Sequence, residues 1–181
     1  MNGEHAMVSV VFVDIRDFTS FADRATARDA VALLNEFFGV VVPVLEAHGG
    51  RVQQFLGDGL LGVFGAPEPL PDHADRAVAA ALAVGALNGR TDGPLRVGVG
   101  VNSGEVVVGT IGGGGRLDFT VIGDAVNTAA RVEAATRDTG DDVLITAATR
   151  DRLAVHHCDW TERRAVALRG KTEPVRMFAP S

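Results

Sequence analysis

Cysteine occurs once in this chain, as Cys158, so no intrachain disulfide holds the fold and a reducing cytoplasm is the expected setting. The adjoining His156 and His157 have no second cluster to complete a tetrahedron, which argues against a structural metal there. Basic residues are few: 17 Lys and Arg against 23 Asp and Glu give a net charge of −6. No clustered basic surface for nucleic acid is expected from that balance. No uninterrupted apolar run approaches membrane-spanning length, and no signal peptide precedes the first apolar segment. Both glycine-rich phosphate motifs are incomplete. Gly112–Gly115 is not followed by Gly-Lys-Ser/Thr, and Gly98-x-Gly100 lacks dinucleotide spacing. Internal repeats, linkers and low-complexity segments are also missing.

What is present suits one globular domain of 181 residues, 46% hydrophobic and 22% charged, large enough for a real core. Met1–Ala6 is polar and expected to be disordered, leaving 7–181 as the folded unit. Met7–Ile15 is nearly continuous apolar and reads as a central strand covered on both faces. Asp17 then serves as a helix cap. Apolar spacing predicts a helix over Ala27–His48, kinked at Pro43 and ended by Gly49-Gly50. Val52–Leu56 and Leu60–Phe64 flank Gly57-Asp58-Gly59, a hairpin signature. Ala66–Pro71 is a loop, and Ala74–Leu87 a second helix with Asp72 near its start.

Leu95–Val101 and Glu105–Ile111 read as two adjacent strands around Asn102-Ser103-Gly104. Leu117–Ile122 is a further strand and Ala125–Arg137 a third long helix. A short strand (Asp142–Thr146), a short helix (Ala147–Leu153) and two terminal strands (Trp160–Leu168, Pro174–Phe178) complete the chain. Interleaved helices and strands with two hairpins predict an α+β fold with a mainly antiparallel sheet, not a doubly wound parallel one.

Three features carry chemistry. Asp14 ends the first strand and Asp58 sits at the hairpin tip, and carboxylates at strand ends suit divalent cations held against a polyphosphate. Asn127 and Arg131, four residues apart, share one helix face, with Val126, Ala130 and Ala134 placed to pack on the other. A neutral donor beside a guanidinium suits a phosphoryl group that gains charge in its transition state. Lys171 is the only lysine among 17 basic residues, a point charge suited to phosphate.

FVDIRDFTSFA, FLGDGLLGVFGAP, GVGVNSGEVVVGTIG, DFTVIGDAVNTAARVE and LRGKTEPV occur in this order. Together they resemble the catalytic domain of the class III adenylyl/guanylyl cyclases, over Val8–Phe178. The resemblance implies a ferredoxin-like βαββαβ palm core with C-terminal strand and helix additions, acting as a head-to-tail homodimer with shared active sites. It implies conversion of a nucleoside triphosphate to a 3′,5′-cyclic monophosphate and pyrophosphate, with two divalent cations, Mg²⁺ or Mn²⁺. By position, Asp14 and Asp58 match the metal-binding aspartates, and the carbonyl of Ile15 a further ligand. Asn127 matches the residue that orients the ribose, Arg131 the one that binds the α-phosphate, and Lys171 a lysine on the terminal phosphates. Backbone N–H groups of Asp17, Phe18 and Thr19, with Gly57, match the wrapping of those phosphates.

Base selection departs from the family pattern. Gln54 stands where adenylyl cyclases usually carry Lys and guanylyl cyclases Glu. Thr120 stands where many have Asp or Cys, and resembles a bacterial subset of adenylyl cyclases. The expectation is an adenylate cyclase that takes ATP, with GTP as a side substrate. The alternative is a regulatory pseudo-cyclase that dimerises and binds nucleotide with negligible turnover. Gln54 supports that alternative, and the intact Asp14, Asp58, Asn127, Arg131 and Lys171 oppose it. A diguanylate cyclase is disfavoured because the hairpin reads Leu56-Gly57-Asp58-Gly59-Leu60.

Overall fold

The computed structural model describes residues 3–89, 96–166 and 174–181, and of 164–166 the backbone alone. In chain order the elements are β1 (Glu4–Ile15), α1 (Phe18–Ala22), α2 (Ala27–Ala47), β2 (Arg51–Leu56), β3 (Gly59–Phe64), α3 (His73–Gly85) and β4 (Val97–Gly113). Then follow β5 (Arg116–Ile122), α4 (Asp124–Thr139), β6 (Val143–Thr146), α5 (Ala147–Arg150), β7 (Trp160–Val166) and β8 (Val175–Pro180). One eight-stranded sheet has the order β2-β3-β1-β4-β6-β8-β7, with β5 also paired to β4. β1 is antiparallel to both β3 and β4, so β1-α2-β2 and β3-α3-β4 are the two crossovers of a βαββαβ core. The β4–β6 pairing is parallel. The fold is α+β with a mostly antiparallel sheet, as the sequence predicts.

Alternation along β1 divides the core. Val11, Val13 and Ile15 face α2 and α3, meeting Phe37, Val41 and Leu45 of α2 and Ala77, Ala81 and Val84 of α3. Val8 and Val10 face the other side, against Ala125 and Ala129 of α4. α2 starts at Thr26, whose hydroxyl accepts from the Asp29 N–H at 3.1 Å, and runs through Pro43 to Ala47. By length and mean hydropathy, 1.7, this helix would pass as a bilayer span. Its Phe37, Val41 and Leu45 are instead inserted in the core.

The structure corrects four local expectations. β1 begins at Glu4, because Glu4, His5 and Ala6 pair with Val108, Val107 and Val106, so the expected disorder of Met1–Ala6 does not hold for Glu4–Ala6. The two strands expected around Asn102-Ser103-Gly104 are one strand, β4. Its polar middle is satisfied internally: Asn102 donates to the Ala125 carbonyl at 3.0 Å and accepts from Thr146 at 2.7 Å. The Ser103 hydroxyl bonds those of Ser9 at 2.6 Å and Thr149 at 2.9 Å. Asp17 is no side-chain cap; it takes a left-handed φ of 60° and makes no capping bond. The buried face of α4 is Ala125, Ala129, Val132 and Thr136, whereas Ala134 is exposed and Val126 and Ala130 only half-buried.

Glycines on β4 explain how closely α4 lies. A Cβ on Gly100 would stand 2.2 Å from the Glu133 nitrogen, and one on Gly104 2.9 Å from the Ala125 Cβ. A Cβ on Gly98 would meet Thr136 Oγ1 at 2.7 Å and Glu133 Oε1 at 2.8 Å. Three glycines at even positions of one strand thus form a bare track for the helix.

Candidate active site

The hairpin and β1 bring two carboxylates together. Gly57 and Asp58 are the turn between β2 and β3, and Gly57 has the positive φ, 62°, that the first turn residue of a II′-type hairpin needs. Asp14 of β1 pairs with Gly59 of β3, and the Ile15 N–H donates to the Asp58 carbonyl at 3.1 Å. A Cβ on Gly59 would lie 2.6 Å from the Val13 carbonyl oxygen and 3.2 Å from Asp14 Oδ1, so only glycine allows this approach. Asp14 and Asp58 therefore sit side by side at one end of the central strands.

Their surroundings are highly charged. Arg137 of α4 donates from Nη2 to Asp14 Oδ2 at 2.6 Å, while Asp14 Oδ1 is buried without a partner. Burial raises the Asp14 pKa above its ordinary range and the neighbouring Asp58 adds to the rise, with Arg137 opposing both. Arg137 also donates from Nη1 to both oxygens of Glu133, at 3.1 and 3.3 Å. Burial, then the charge of Asp14, pushes Glu133 up to about 7. Burial disfavours the Arg137 charge, but Asp14 and Glu133 outweigh it and hold its pKa above the usual value.

Two carboxylates, one with a buried unpaired oxygen, are donors of the kind Mg²⁺ or Mn²⁺ takes when substrate and water complete its shell. Among the described residues no group of three or more His, Cys, Asp or Glu forms a cage of protein ligands alone. The residues present fit a cation that is shared with substrate phosphates.

Gln54 and Thr120 line one open pocket of ≈ 820 Å³ between β2 and the β4–β5 hairpin. β2 carries a bulge between Val52 and Gln54, which makes Gln53 an extra residue and turns it inward. Gln53 Nε2 donates to Thr120 Oγ1 at 3.4 Å, and Gln53 Oε1 is buried without a partner. Arg51 lies over the Phe119 ring, 5.3 Å from its centroid, on the same wall. Sequence reasoning missed Gln53, because two adjacent glutamines look alike until the bulge assigns their directions.

Asn127 is exposed and Arg131 half-buried on α4. At about 100° per residue they are roughly 40° apart around the helix, while Arg137 is turned about 120° from Arg131. Among the described residues no hydrogen bond or ion pair joins Asn127 or Arg131 to Asp14 or Asp58. The expected residues therefore fall into separate groups within one chain. Asp17 is exposed in the turn after β1 and Thr19 in the first turn of α1, with the Phe18 and Phe21 ring centroids 6.4 Å apart. Lys171 lies outside the described residues. Glu133 and Arg137 were also missed; their only signal in the sequence is four-residue spacing on a helix, which reads as a surface pair.

Residues 2–179 match the family model of the adenylate and guanylate cyclase catalytic domain. An uncharacterised protein of Mycobacterium tuberculosis is 37% identical over 181 residues, 99% of this chain and 34% of that protein. The chain thus spans about a third of the length of the curated relatives it matches. The crystal structure of the guanylyl cyclase Cya2 is similar with a TM-score of 0.84 and 33% identity, covering 99% of this chain and 94% of that one. The adenylyl cyclase CyaB from P. aeruginosa aligns with a TM-score of 0.88 and 25% identity, over 100% and 96%. The guanylate cyclase domain of RhGC from Catenaria anguillulae, in complex with GTP, gives 0.86 and 27%, over 98% and 100%. Neighbours of both purine specificities share the whole fold, and the family match runs almost end to end: the chain belongs to the class III adenylyl/guanylyl cyclases and is a nucleotide cyclase catalytic domain.

Proposed function

We propose that this domain converts ATP to 3′,5′-cyclic AMP and pyrophosphate at two sites shared between copies of the chain, with GTP as a slower substrate. The observation that carries the reading is the division of the site. Asp14, with its buried unpaired Oδ1, stands beside Asp58, while Asn127 and Arg131 of α4 make no hydrogen bond or ion pair with either aspartate among the described residues. A second copy related by a two-fold axis would supply the missing half to each.

In the reaction the ribose 3′-oxygen bonds to the α-phosphorus, the bond from that phosphorus to the bridging oxygen breaks, and the hydroxyl proton passes to solvent. Asp14, Asp58 and the Ile15 carbonyl would hold the divalent cations. When bound, these ions supply Lewis acidity at the 3′-oxygen and screen the outer phosphates. Asn127 orients the ribose so that attack is in line. Arg131 donates to the α-phosphoryl oxygens, where charge gathers. Lys171 and the backbone N–H groups of Asp17, Phe18, Thr19 and Gly57 hold the terminal phosphates. Gln54 and Thr120 meet the base edge, and both have donor and acceptor atoms, which favours weak rather than strict selection of adenine.

The test is product analysis by chromatography after incubation with ATP or GTP and Mn²⁺ or Mg²⁺. Cyclic AMP with pyrophosphate as the main products, and a lesser yield of cyclic GMP, is the expected result. No cyclic nucleotide from either substrate with either metal would overturn the reading.

A further inference from the structure

We infer that Arg137 is a positioning residue of the metal site: anchored by Glu133, it takes one oxygen of Asp14 and thereby presents the other to a divalent cation. This rests on the proposed reading of Asp14 and Asp58 as metal ligands.

The two oxygens of Asp14 are in different circumstances. Oδ2 accepts from Arg137 Nη2 at 2.6 Å, whereas Oδ1 is buried and unpaired. A buried carboxylate oxygen without a donor is costly, and it is expected where something outside the chain completes it. Oδ1 lies on the side of Gly59, the residue next to Asp58, because a Cβ there would be 3.2 Å from it. The guanidinium makes no ion pair with Asp58, so it does not occupy the space between the carboxylates. A guanidinium in place of the cation would be expected to bridge both aspartates. This one holds the outer oxygen of a single aspartate, the geometry by which a metal-ligating carboxylate is oriented from outside.

Arg137 is itself fixed. Its Nη1 donates to both oxygens of Glu133, one helical turn earlier, at 3.1 and 3.3 Å. Glu133 lies against the sheet with 9% of its side chain exposed, in space left by Gly98, where a Cβ would stand 2.8 Å from Oε1. The line Gly98–Glu133–Arg137–Asp14 thus runs from bare strand backbone to the ligand. A surface ion pair would do nothing of this kind; Arg137 is 44% exposed, so its loss removes little core packing. Its positive charge also offsets the repulsion between Asp14 and Asp58 before any cation arrives.

Mn²⁺ binding followed by electron paramagnetic resonance, with 3′-deoxy-ATP present, tests this without turnover, since that nucleotide lacks the attacking hydroxyl. Arg137→Ala should weaken Mn²⁺ binding about 10- to 100-fold, the usual effect of losing an outer-shell partner. Arg137→Lys should recover part of the affinity, and metal-free melting temperatures should be close to wild type in both. Wild-type or tighter Mn²⁺ binding by Arg137→Ala would overturn the inference. So would weakened binding that Lys does not rescue and that follows a lowered melting temperature. Asp14→Asn and Asp58→Asn serve as the separate control. If both bind Mn²⁺ like wild type, the metal reading itself fails and this inference falls with it. If both lose binding while Arg137→Ala retains it, the positioning role alone is wrong.

Discussion

The side-chain amide of Gln53 donates to the hydroxyl of Thr120 at 3.4 Å, across a pocket that Gln54 also lines. One lone pair of Thr120 is engaged by that contact, yet its proton and second lone pair remain available to a base edge. Gln54 has an amide that flips to suit adenine or guanine. Lysine only donates, which matches adenine N1 and opposes guanine N1–H. Gln54→Lys should therefore raise the ATP/GTP ratio of kcat/KM by about 10- to 100-fold, the equivalent of one unpaired buried group at about 1–3 kcal/mol. Steady-state kinetics with both nucleotides check this. A wild type that already rejects GTP strongly, with no change on substitution, would show that Gln54 does not read the base.

Complementation tests the shared site. Asp58→Ala and Arg131→Ala should each be inactive alone. Mixed under conditions of subunit exchange, they should regain activity, because the heterodimer collects both lesions in one site and leaves the other intact. Demonstrated exchange without recovery would mean that the two groups act in one chain.

Two glycines should respond oppositely to alanine. At Gly100 the new methyl would stand 2.2 Å from a helix backbone nitrogen, so α4 must shift and stability should fall by about 3 kcal/mol, the upper end of the usual cost of overpacking. Gly39 lies in exposed α2 with nothing within 4 Å of its Cβ direction. Alanine there should stabilise by about 0.5–1 kcal/mol. Urea denaturation of the two variants measures both.

Glu133 predicts a pH dependence of the metal-free fold. Its pKa is raised from the ordinary 4.5 to about 7. A carboxyl raised on folding favours the native state when protonated. Its contribution is full below 4.5 and is lost as the pH climbs to about 7. At about 1.4 kcal/mol per unit, the loss across that window is about 3 kcal/mol. Stability measured at pH 5 and pH 8 should therefore fall more in wild type than in Glu133→Gln, and equal falls would show that Glu133 is not the group responsible.

Much of this was legible in the sequence because local patterns and the fold agree. The hairpin at Gly57-Asp58 and the span of α2 follow from turn chemistry and apolar runs. β4 was not legible as one strand, since Asn102-Ser103-Gly104 has the composition of a turn. Only partners far along the chain, Ser9, Thr146 and Thr149, make that segment extended and buried. The same holds for Arg137, whose contact with Asp14 joins residues that no local pattern relates. Apolar periodicity also misplaced the buried face of α4, because Thr136 and Glu133 are buried where glycines of β4 make room.

The glycine track under α4 bears on how such a domain responds to substitution. Asn127, Arg131 and Gln54 form no side-chain hydrogen bond or ion pair among the described residues, so replacing them breaks no polar contact of the scaffold. Gly98, Gly100 and Gly104 have no chemistry to offer, yet any larger residue there would collide with the helix. Substitutions at the two kinds of position therefore differ in effect, and the chemistry can be lost while the architecture is kept. A melting curve reports the track, and only a product reports the cyclase.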